Sequence, residues 1–479
     1  MKRNILYAIP MCLVMLFSCD YGDTNIDPAN PLDVTIPLLL PSAEGRIAYF
    51  LGGDASRYCG VFSQHFGGGG RQHLLIGRYG FTESDVNTAW NQQYAGSLQD
   101  LKVIIDKANA EGAASAEQFS GAAKVLTAYL IVVLSDLYEE IPYSEALQGI
   151  EIQEPAYDTR ETIYSTAHTL LSEAITELGV SSDIALGGED LIYGGDASKW
   201  IKAAHSIEAR IYLHEGNYDA ALTSAASGFT SNADDMEYAF GSAATETNPW
   251  YQFEEQRGDV VMGKYFIDML LSTNDPRIDF FAIPTNYSAV VNDGAAPTYV
   301  GAPAGNPVGG ESTVADLNEA IKTTYTSRGS AVPFITYAEL KFIEAEAHLR
   351  KGSADASAAA DAANAGIEAS LVKVTGASDA IYLTANSLDA GSINLEAVIG
   401  QKYIALFTQV ESWNDWRRTG YPQLTAVGDN NQLGPGIFPL RWPLPQGESL
   451  FNATNHAIHV TDIQVPTVLN GFSWDATPQ

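Results

Sequence analysis

The sequence is poor in cysteine. Of its three cysteines, Cys12 and Cys19 lie in the first twenty residues, which leaves Cys59 alone in the rest of the chain. With one cysteine left, an intramolecular disulfide is excluded. Because Cys59 stands between aromatic and small residues, we interpret it as a small buried hydrophobe rather than a reactive thiol.

Basic residues are also scarce, with 26 Lys and Arg against 58 Asp and Glu and a formal net charge of −32. Neutralising phosphates needs a basic face, so this balance argues against nucleic acid as a partner. Hydrophobic residues make up 46% of the chain and charged residues 18%, which is typical of a packed globular protein. The chain exceeds the usual size of one domain, so two subdomains and one large unit are both compatible with its length.

Long apolar runs are missing as well, and we expect no membrane span after the first twenty residues. The stretch Ile5–Phe17 follows Lys2 and Arg3 and is too short to span a bilayer, so it predicts an export signal. It ends in Leu16–Cys19, a string typical of a bacterial lipid-attachment site. We expect cleavage after Ser18 and acylation of Cys19, which anchors the protein to a membrane. The alternative is a plain cleaved signal with an incidental cysteine.

The whole chain divides by composition into three parts. Residues 1–18 are predicted to be the signal peptide, 19–35 a flexible solvated tether, and 36–479 the folded body. Within the body, residues 231–332 are rich in Gly, Pro, Asn and Thr and form a loop-rich insert with one predicted helix, Val260–Leu271. An irregular insert of this length usually carries function.

Apolar residues at three- and four-residue spacing predict a mainly α fold. Four single helices are predicted at 82–108, 116–139, 158–179 and 394–410, the first with a capping box of Thr82 and Asp85. Two helix–turn–helix pairs, at 198–228 and 337–371, are similar to tetratricopeptide units. No clean 34-residue period links them. We therefore expect tetratricopeptide-like helix pairs packed with a loop-rich irregular subdomain.

Patterns for catalysis or metal binding are weak. The eight histidines are scattered, and His205 and His214 lack the spacing of a zinc site. No Gly-x-Ser-x-Gly string occurs, and acid pairs such as Asp234–Asp235 follow from the composition. We expect no catalytic residue, no metal site and no cofactor. A calcium ion in an acidic loop stays open, without a recognisable pattern.

Two segments are candidates for ligand contact. The loop 66–73 contains four glycines but lacks the Gly-Lys-Ser/Thr of a phosphate-binding loop, and Arg71, His73 and Tyr79 place donors and a ring beside it. In the insert, Trp250, Tyr251 and Phe253 stand next to amide and acid groups. Flat aromatic faces with planar polar groups suit sugar binding. The alternatives are a flexible linker for the loop and core packing for the aromatics.

Several strings resemble the SusD/RagB family of surface lipoproteins, in particular its SusD-like branch. They follow one another over most of the mature chain, as Trp90–Gly96, Leu134–Ala146, Asn274–Arg277, Ile335–Ala347, Gln401–Phe407 and Glu411–Pro422. Glu139 replaces the glycine common in the second string. Because relatives with different ligands share these motifs, we interpret Trp413–Arg418, Asp275 and Arg277 as structural.

The resemblance implies a helical, tetratricopeptide-like protein on the outer membrane, facing the cell exterior. It further implies a non-enzymatic role, in which an oligosaccharide is bound and delivered to a TonB-dependent, SusC-like transporter. A peptide ligand within the same family is the first alternative. A surface glycan hydrolase and a tetratricopeptide-like scaffold that binds only protein are the others.

Overall fold

The computed structural model describes residues 34–110, 112 and 114–459. The predicted signal peptide, Cys19 and nearly all of the predicted tether lie outside these residues. The described part is mainly helical, as the sequence predicted. Its helices are α1 (Ile36–Phe50), α2 (Ser56–Phe62), α3 (Arg71–Gly77), α4 (Asn87–Gln92), α5 (Gln99–Ala108), α6 (Glu117–Tyr138), α7 (Arg160–Leu178), α8 (Ala197–His214), α9 (Tyr218–Ala225), α10 (Pro249–Gln256), α11 (Lys264–Ser272), α12 (Ile278–Phe281), α13 (Tyr287–Asp293), α14 (Tyr337–Arg350), α15 (Ala356–Thr375), α16 (Ala380–Asn386), α17 (Leu395–Ala405), α18 (Glu411–Thr419), α19 (Gln446–Phe451) and α20 (Ala453–His459).

Antiparallel helix pairs build the frame. α6 packs along α7, α8 along α9 and α14 along α15, and neighbouring pairs meet through the contacts of α7 with α8 and of α9 with α14. The two helix–turn–helix units predicted from the sequence are the second and third of these pairs. Their turns are short, and Asn217 caps α9 by accepting a hydrogen bond from Ala220 N–H.

The central helix is α6, 22 residues long and buried from Phe119 to Tyr138. Its length and mean hydropathy of 1.5 meet the compositional criteria for a membrane span, although we expected no such helix after residue 20. Every residue of the apolar window is buried within the fold. This pattern is that of a core helix, which is surrounded by protein on all sides and is therefore apolar all round.

Short strands tie the loop-rich insert to the helices. β1 (Phe66–Gly68) pairs antiparallel with β3 (Val260–Met262), and β2 (Met236–Tyr238) pairs with β4 (Val332–Ile335). The predicted helix Val260–Leu271 is therefore wrong at its start, because its first three residues form β3 and the helix begins at Lys264. Three apolar residues in succession fit a buried strand as well as a helix turn.

Other predicted boundaries also shift. The helix predicted over 82–108 begins with the expected Thr82–Asp85 capping box but is interrupted by a π-helical segment at Gln93–Leu98. The cap of α7 is Thr159, because Asp158 instead accepts hydrogen bonds from the backbone of the 143–144 turn. The helix predicted over 394–410 ends at Ala405, and a separate helix, α18, follows it at Glu411–Thr419.

The buried side chains form one large core and one small one. The small core lies between α14, α15, α16 and α17 and contains Phe342, Ile367, Leu371 and Val398. The large core runs through the other helices and includes Cys59, which is fully buried. Burial raises the pKa of its thiol, in agreement with its interpretation as a core residue rather than a reactive one.

Candidate functional site

The two segments predicted to contact a ligand are neighbours in the fold. β1 and β3 join them, and the backbone N–H groups of Gly69 and Gly70 both donate to the carbonyl of Asp259, at 2.7 and 3.1 Å. The turn after β1 is tight, since a Cβ on Gly68 would lie 1.9 Å from the His73 carbonyl oxygen. The glycine-rich loop is thus a paired strand and a constrained turn, and the flexible-linker interpretation is wrong.

Arg71 is the exposed member of the predicted set. Its backbone has a φ of +43°, and 63% of its side chain is accessible. The guanidinium pairs with Asp259 Oδ1 at 2.5 Å and donates to the Arg257 carbonyl. The Asp259 side chain is only 3% accessible, so this pair holds the guanidinium at the turn while most of the Arg71 side chain faces solvent.

His73 is buried behind this turn. Its ring lies between Tyr58 and Phe253, with centroid distances of 5.8 and 4.8 Å. Neither ring nitrogen has a hydrogen-bond partner among the described residues. Burial, with help from the charges of Arg57 and Arg257, lowers the pKa of His73 to about 3. The ring is therefore neutral at physiological pH.

Phe253 is partly exposed. The Arg57 guanidinium lies 4.4 Å from its ring centroid and pairs with Asp54 at 2.6 Å. This arrangement orients the ring through a cation–π contact. Phe253 and Arg71 are the predicted site residues with accessible side-chain surface.

Trp250, Tyr251 and Tyr79 lie in the core, with 0%, 1% and 2% of their surface exposed. The Trp250 indole donates to Ser56 Oγ at 2.9 Å and packs on Phe66 at a centroid distance of 4.6 Å. The Tyr251 hydroxyl accepts a hydrogen bond from Arg328. In this conformation none of the three presents a ring face to solvent, so their position is that of the core-packing alternative. Ligand contact by the six predicted residues stays a prediction.

The densest charged string is buried, as its structural interpretation requires. Arg418 pairs with Glu346 and with Asp415, and Lys402 pairs with Asp415 at 2.7 Å. The Arg417 guanidinium lies 3.9 Å from the Trp413 ring centroid. In the Asp-Pro-Arg turn, the Arg277 guanidinium donates to the Asp275 carboxylate through two nitrogens, Nε and Nη2. These groups connect α14, α17 and α18 and leave no free face for a ligand.

One group of metal-type side chains comes together within the described residues. Candidate ligand atoms of Asp136, His214 and Glu411 all lie within 4.8 Å of one another, and all three residues are buried. His214 Nε2 is 2.7 Å from Glu411 Oε1, and Nδ1 is 3.1 Å from the Tyr164 hydroxyl. Both ring nitrogens are thus engaged, and the cluster is satisfied as a buried charge network without an ion.

A groove opens between α1 and the π-interrupted helix 87–108. We call it the α1 groove; its volume is about 640 Å³, and it is lined by Ser42, Gly45, Arg46, Tyr49, Asn91, Gln92, Ala95 and Gly96. The first four lie on one face of α1, at spacings of three, one and three residues. No motif in the sequence indicated this groove. The available signal for the groove was a stripe of polar and aromatic residues opposite the apolar face of α1. The local sequence does not show which helix lies next to that stripe.

The α1 groove adjoins the predicted site through one hydrogen bond. The Tyr49 hydroxyl donates to Gln252 Oε1 at 3.0 Å, and Gln252 stands on α10 next to Phe253. The candidate functional surface therefore extends from Arg46 along Tyr49 and Phe253 to Arg71. It combines exposed rings, amides and guanidinium groups, a set that can stack on a ligand and exchange hydrogen bonds with it.

Known proteins match this fold over most of its length. A SusD-like family model, described as starch-binding and associating with the outer membrane, matches residues 35–445. No match was found among curated proteins.

Solved structures match the fold as well. A chitin-binding protein is 26% identical with a TM-score of 0.76, covering 92% of this chain and 98% of its own. A SusD/RagB family protein from Bacteroides thetaiotaomicron is 23% identical with a TM-score of 0.73, covering 93% of this chain and all of its own. A chitin-binding SusD homolog from Flavobacterium johnsoniae is 21% identical with a TM-score of 0.70, covering 89% and 94%. The family match spans well over half of the sequence, so this chain belongs to the SusD-like family.

Proposed function

We propose that the protein is a surface lipoprotein that binds an oligosaccharide and delivers it to a TonB-dependent, SusC-like transporter in the outer membrane. The observation that carries this proposal is the family match over residues 35–445, with its description as starch-binding and associating with the outer membrane. The chitin-binding neighbours support a glycan as the ligand. Cys19 would hold the protein on the outer membrane, facing the cell exterior.

Binding in this proposal involves no bond cleavage. The exposed rings and amides of the candidate surface supply stacking and hydrogen bonds. Two of its acids are in ion pairs, Asp259 with Arg71 and Asp54 with Arg57. A glycosidase needs two carboxyl groups facing each other across a cleft with one of them free to give up a proton.

The test uses the full chain and has three readouts. Native affinity electrophoresis and calorimetry with soluble chitin, starch, xylan and mannan oligosaccharides, and calorimetry with peptides, should show binding to at least one glycan. Chromatography of the incubated sugars should show no shorter product. Purification from the native outer membrane should recover a barrel transporter. If the protein binds only peptides, its ligand is a peptide rather than a glycan. If the incubated sugars become shorter, the protein is a hydrolase. A protein that binds no sugar or peptide and recovers no barrel would be a scaffold.

A further inference from the structure

We propose that the α1 groove is the site where the oligosaccharide binds, and that it takes an uncharged glycan chain with the Tyr49 ring as its stacking platform. This inference rests on the proposed function and adds the residues and the ligand charge. The surface at Arg71 and Phe253 would then lie at the end of the groove rather than at its centre.

Tyr49 has the properties of a sugar platform. It is 44% exposed, while most rings of the fold are buried. Its hydroxyl donates to Gln252 Oε1, and Gln252 Nε2 in turn donates to the Thr247 carbonyl at 2.7 Å. The ring is therefore held in place before a ligand arrives, which lowers the entropy lost on binding. An exposed, fixed aromatic face suits the apolar C–H side of a pyranose ring.

Polar groups on the opposite wall suit the hydroxyls of the same ligand. Asn91 and Gln92 are exposed, and their side-chain amides make no hydrogen bond to other described residues. Each amide offers an acceptor oxygen and two donor protons, which matches hydroxyl groups that both donate and accept. Ser42 and Arg46 extend this polar lining along α1.

The charges of the groove favour a neutral ligand. No carboxylate lines it, although the chain has 58 acidic residues. Its one cation, Arg46, lies 3.3 Å from Asp100, and Ser42 Oγ donates to the same carboxylate at 3.0 Å. A cationic ligand would find no counter-charge on the lining, and an anionic ligand would find a single guanidinium that already pairs with Asp100. An uncharged oligosaccharide depends on neither charge.

One wall of the groove departs from a regular α-helix. The π-helical segment Gln93–Leu98 contributes Ala95 and Gly96 to the lining. Such segments are rare and occur frequently at functional sites. Gly96 also leaves room for the Arg46 side chain, because a Cβ there would lie 2.5 Å from Arg46 Nη1. The resulting volume of about 640 Å³ is within the range of small-ligand sites.

The experiment compares variants of the full chain by calorimetry with chitohexaose and maltoheptaose. Tyr49→Ala should weaken binding at least tenfold, and Tyr49→Phe, which keeps the ring, should weaken it less than threefold. Ala95→Trp should block the groove without removing any polar contact and should abolish binding. Leu38→Ala is the matched control, since Leu38 is exposed on α1 but outside the groove. Melting temperatures verify that each variant is folded.

The outcomes separate this inference from the proposed function. If the wild-type protein binds a glycan and both Tyr49→Ala and Ala95→Trp keep wild-type affinity, the groove is not the site, while the proposed function stands. If the wild-type protein binds neither these sugars nor the wider glycan panel, the proposed function fails and this inference with it. Tighter binding of an acidic or cationic sugar than of a neutral one of equal length would overturn the proposal that the ligand is uncharged.

Discussion

Trp250 lies where β1, α2 and α10 meet, and its indole is fully buried there. The sequence placed it in an irregular segment without amphipathic periodicity, where an aromatic ring is easily interpreted as a ligand platform. In the structure, Asn248 caps α10 and thereby turns the indole inward, to within 2.9 Å of Ser56 Oγ. Local sequence cannot show this, because the packing partners Ser56 and Phe66 are almost two hundred residues away.

Replacing Trp250 by Ala should therefore destabilise the protein by about 3–5 kcal/mol, the range for removing a buried Trp or Phe. Urea denaturation followed by circular dichroism measures this loss. Phe451→Ala is the control, because that ring is 77% exposed and its removal should change stability by less than about 0.5 kcal/mol. A normal melting temperature together with lost glycan binding would instead show that Trp250 contacts the ligand.

Arg418 holds two buried carboxylates, Glu346 and Asp415, at 2.6 and 2.7 Å from its Nη2. Arg418→Leu would leave both without their shared cation and should cost about 3–5 kcal/mol. The exposed pair of Lys264 and Asp268 provides the control, since Lys264→Met should cost less than about 1 kcal/mol. Equal losses in urea denaturation would contradict a structural role for the buried network.

Glu254 should make stability depend on pH. Burial, and then the charge of Asp259, raises the pKa of its carboxyl from 4.5 to about 8. The folded protein then keeps a proton that the unfolded chain has released, so this contribution to stability is complete below pH 4.5 and is lost as the pH rises to about 8.

Glu254→Gln should therefore flatten the decline in stability between about pH 5 and pH 8 by at least about 1.4 kcal/mol, the equivalent of one pKa unit. Urea midpoints at the two pH values measure the difference. His73, whose pKa is lowered, acts in the opposite direction in both proteins and does not mask the comparison. Glu255→Gln, at an exposed neighbouring position, should keep the wild-type slope. An unchanged slope in Glu254→Gln would mean that the Glu254 carboxyl is ionised in the folded state.

At the scale of elements, helix pairs depend on close approach at a few small residues. A Cβ on Gly121 of α6 would lie 2.7 Å from Leu178 Cγ and 3.1 Å from the Ala174 carbonyl oxygen on α7. The carbonyl belongs to the helix backbone and cannot move aside. Such a position allows the two helix axes to come together but tolerates no added side chain.

Gly121→Val should accordingly destabilise the protein by about 1–3 kcal/mol through overpacking. Gly352 lies in the turn between α14 and α15, where a Cβ would meet no neighbouring atom within 4 Å, so Gly352→Ala should change stability by less than about 0.5 kcal/mol. Thermal melting of both variants tests the comparison. Gly121→Val with wild-type stability would mean that α6 and α7 can separate without cost.

At the scale of the whole molecule, the predicted lipid anchor determines where in the cell the protein, and with it the α1 groove, is located. Cys19→Ala should leave the folded body unchanged and move the protein from the membrane to the soluble fraction, because two or three acyl chains contribute about 0.8 kcal/mol per buried CH₂. Fractionation followed by immunoblotting measures the distribution, and circular dichroism verifies the fold. A variant that remains in the membrane fraction would refute the lipid anchor.

The sequence alone determined what depends on neighbours along the chain. Apolar periodicity and capping residues located α6, α7 and the two helix–turn–helix pairs, because helical hydrogen bonds and faces are set within a few residues. The ordered family strings indicated the SusD-like fold for the same reason, as each string is local. Burial of the Trp413–Arg418 string also followed, since arginine stacked on tryptophan is typical of packed corners.

Only the tertiary structure decided what depends on distant segments. It paired β1 with β3, and so brought the glycine-rich turn to α10 and placed Trp250, Tyr251 and Tyr79 in the core. It also aligned one face of α1 with the helix at 91–96 to form the α1 groove. The physical reason is that exposure and cavities arise from contacts between residues far apart in sequence, and these contacts leave no local periodicity.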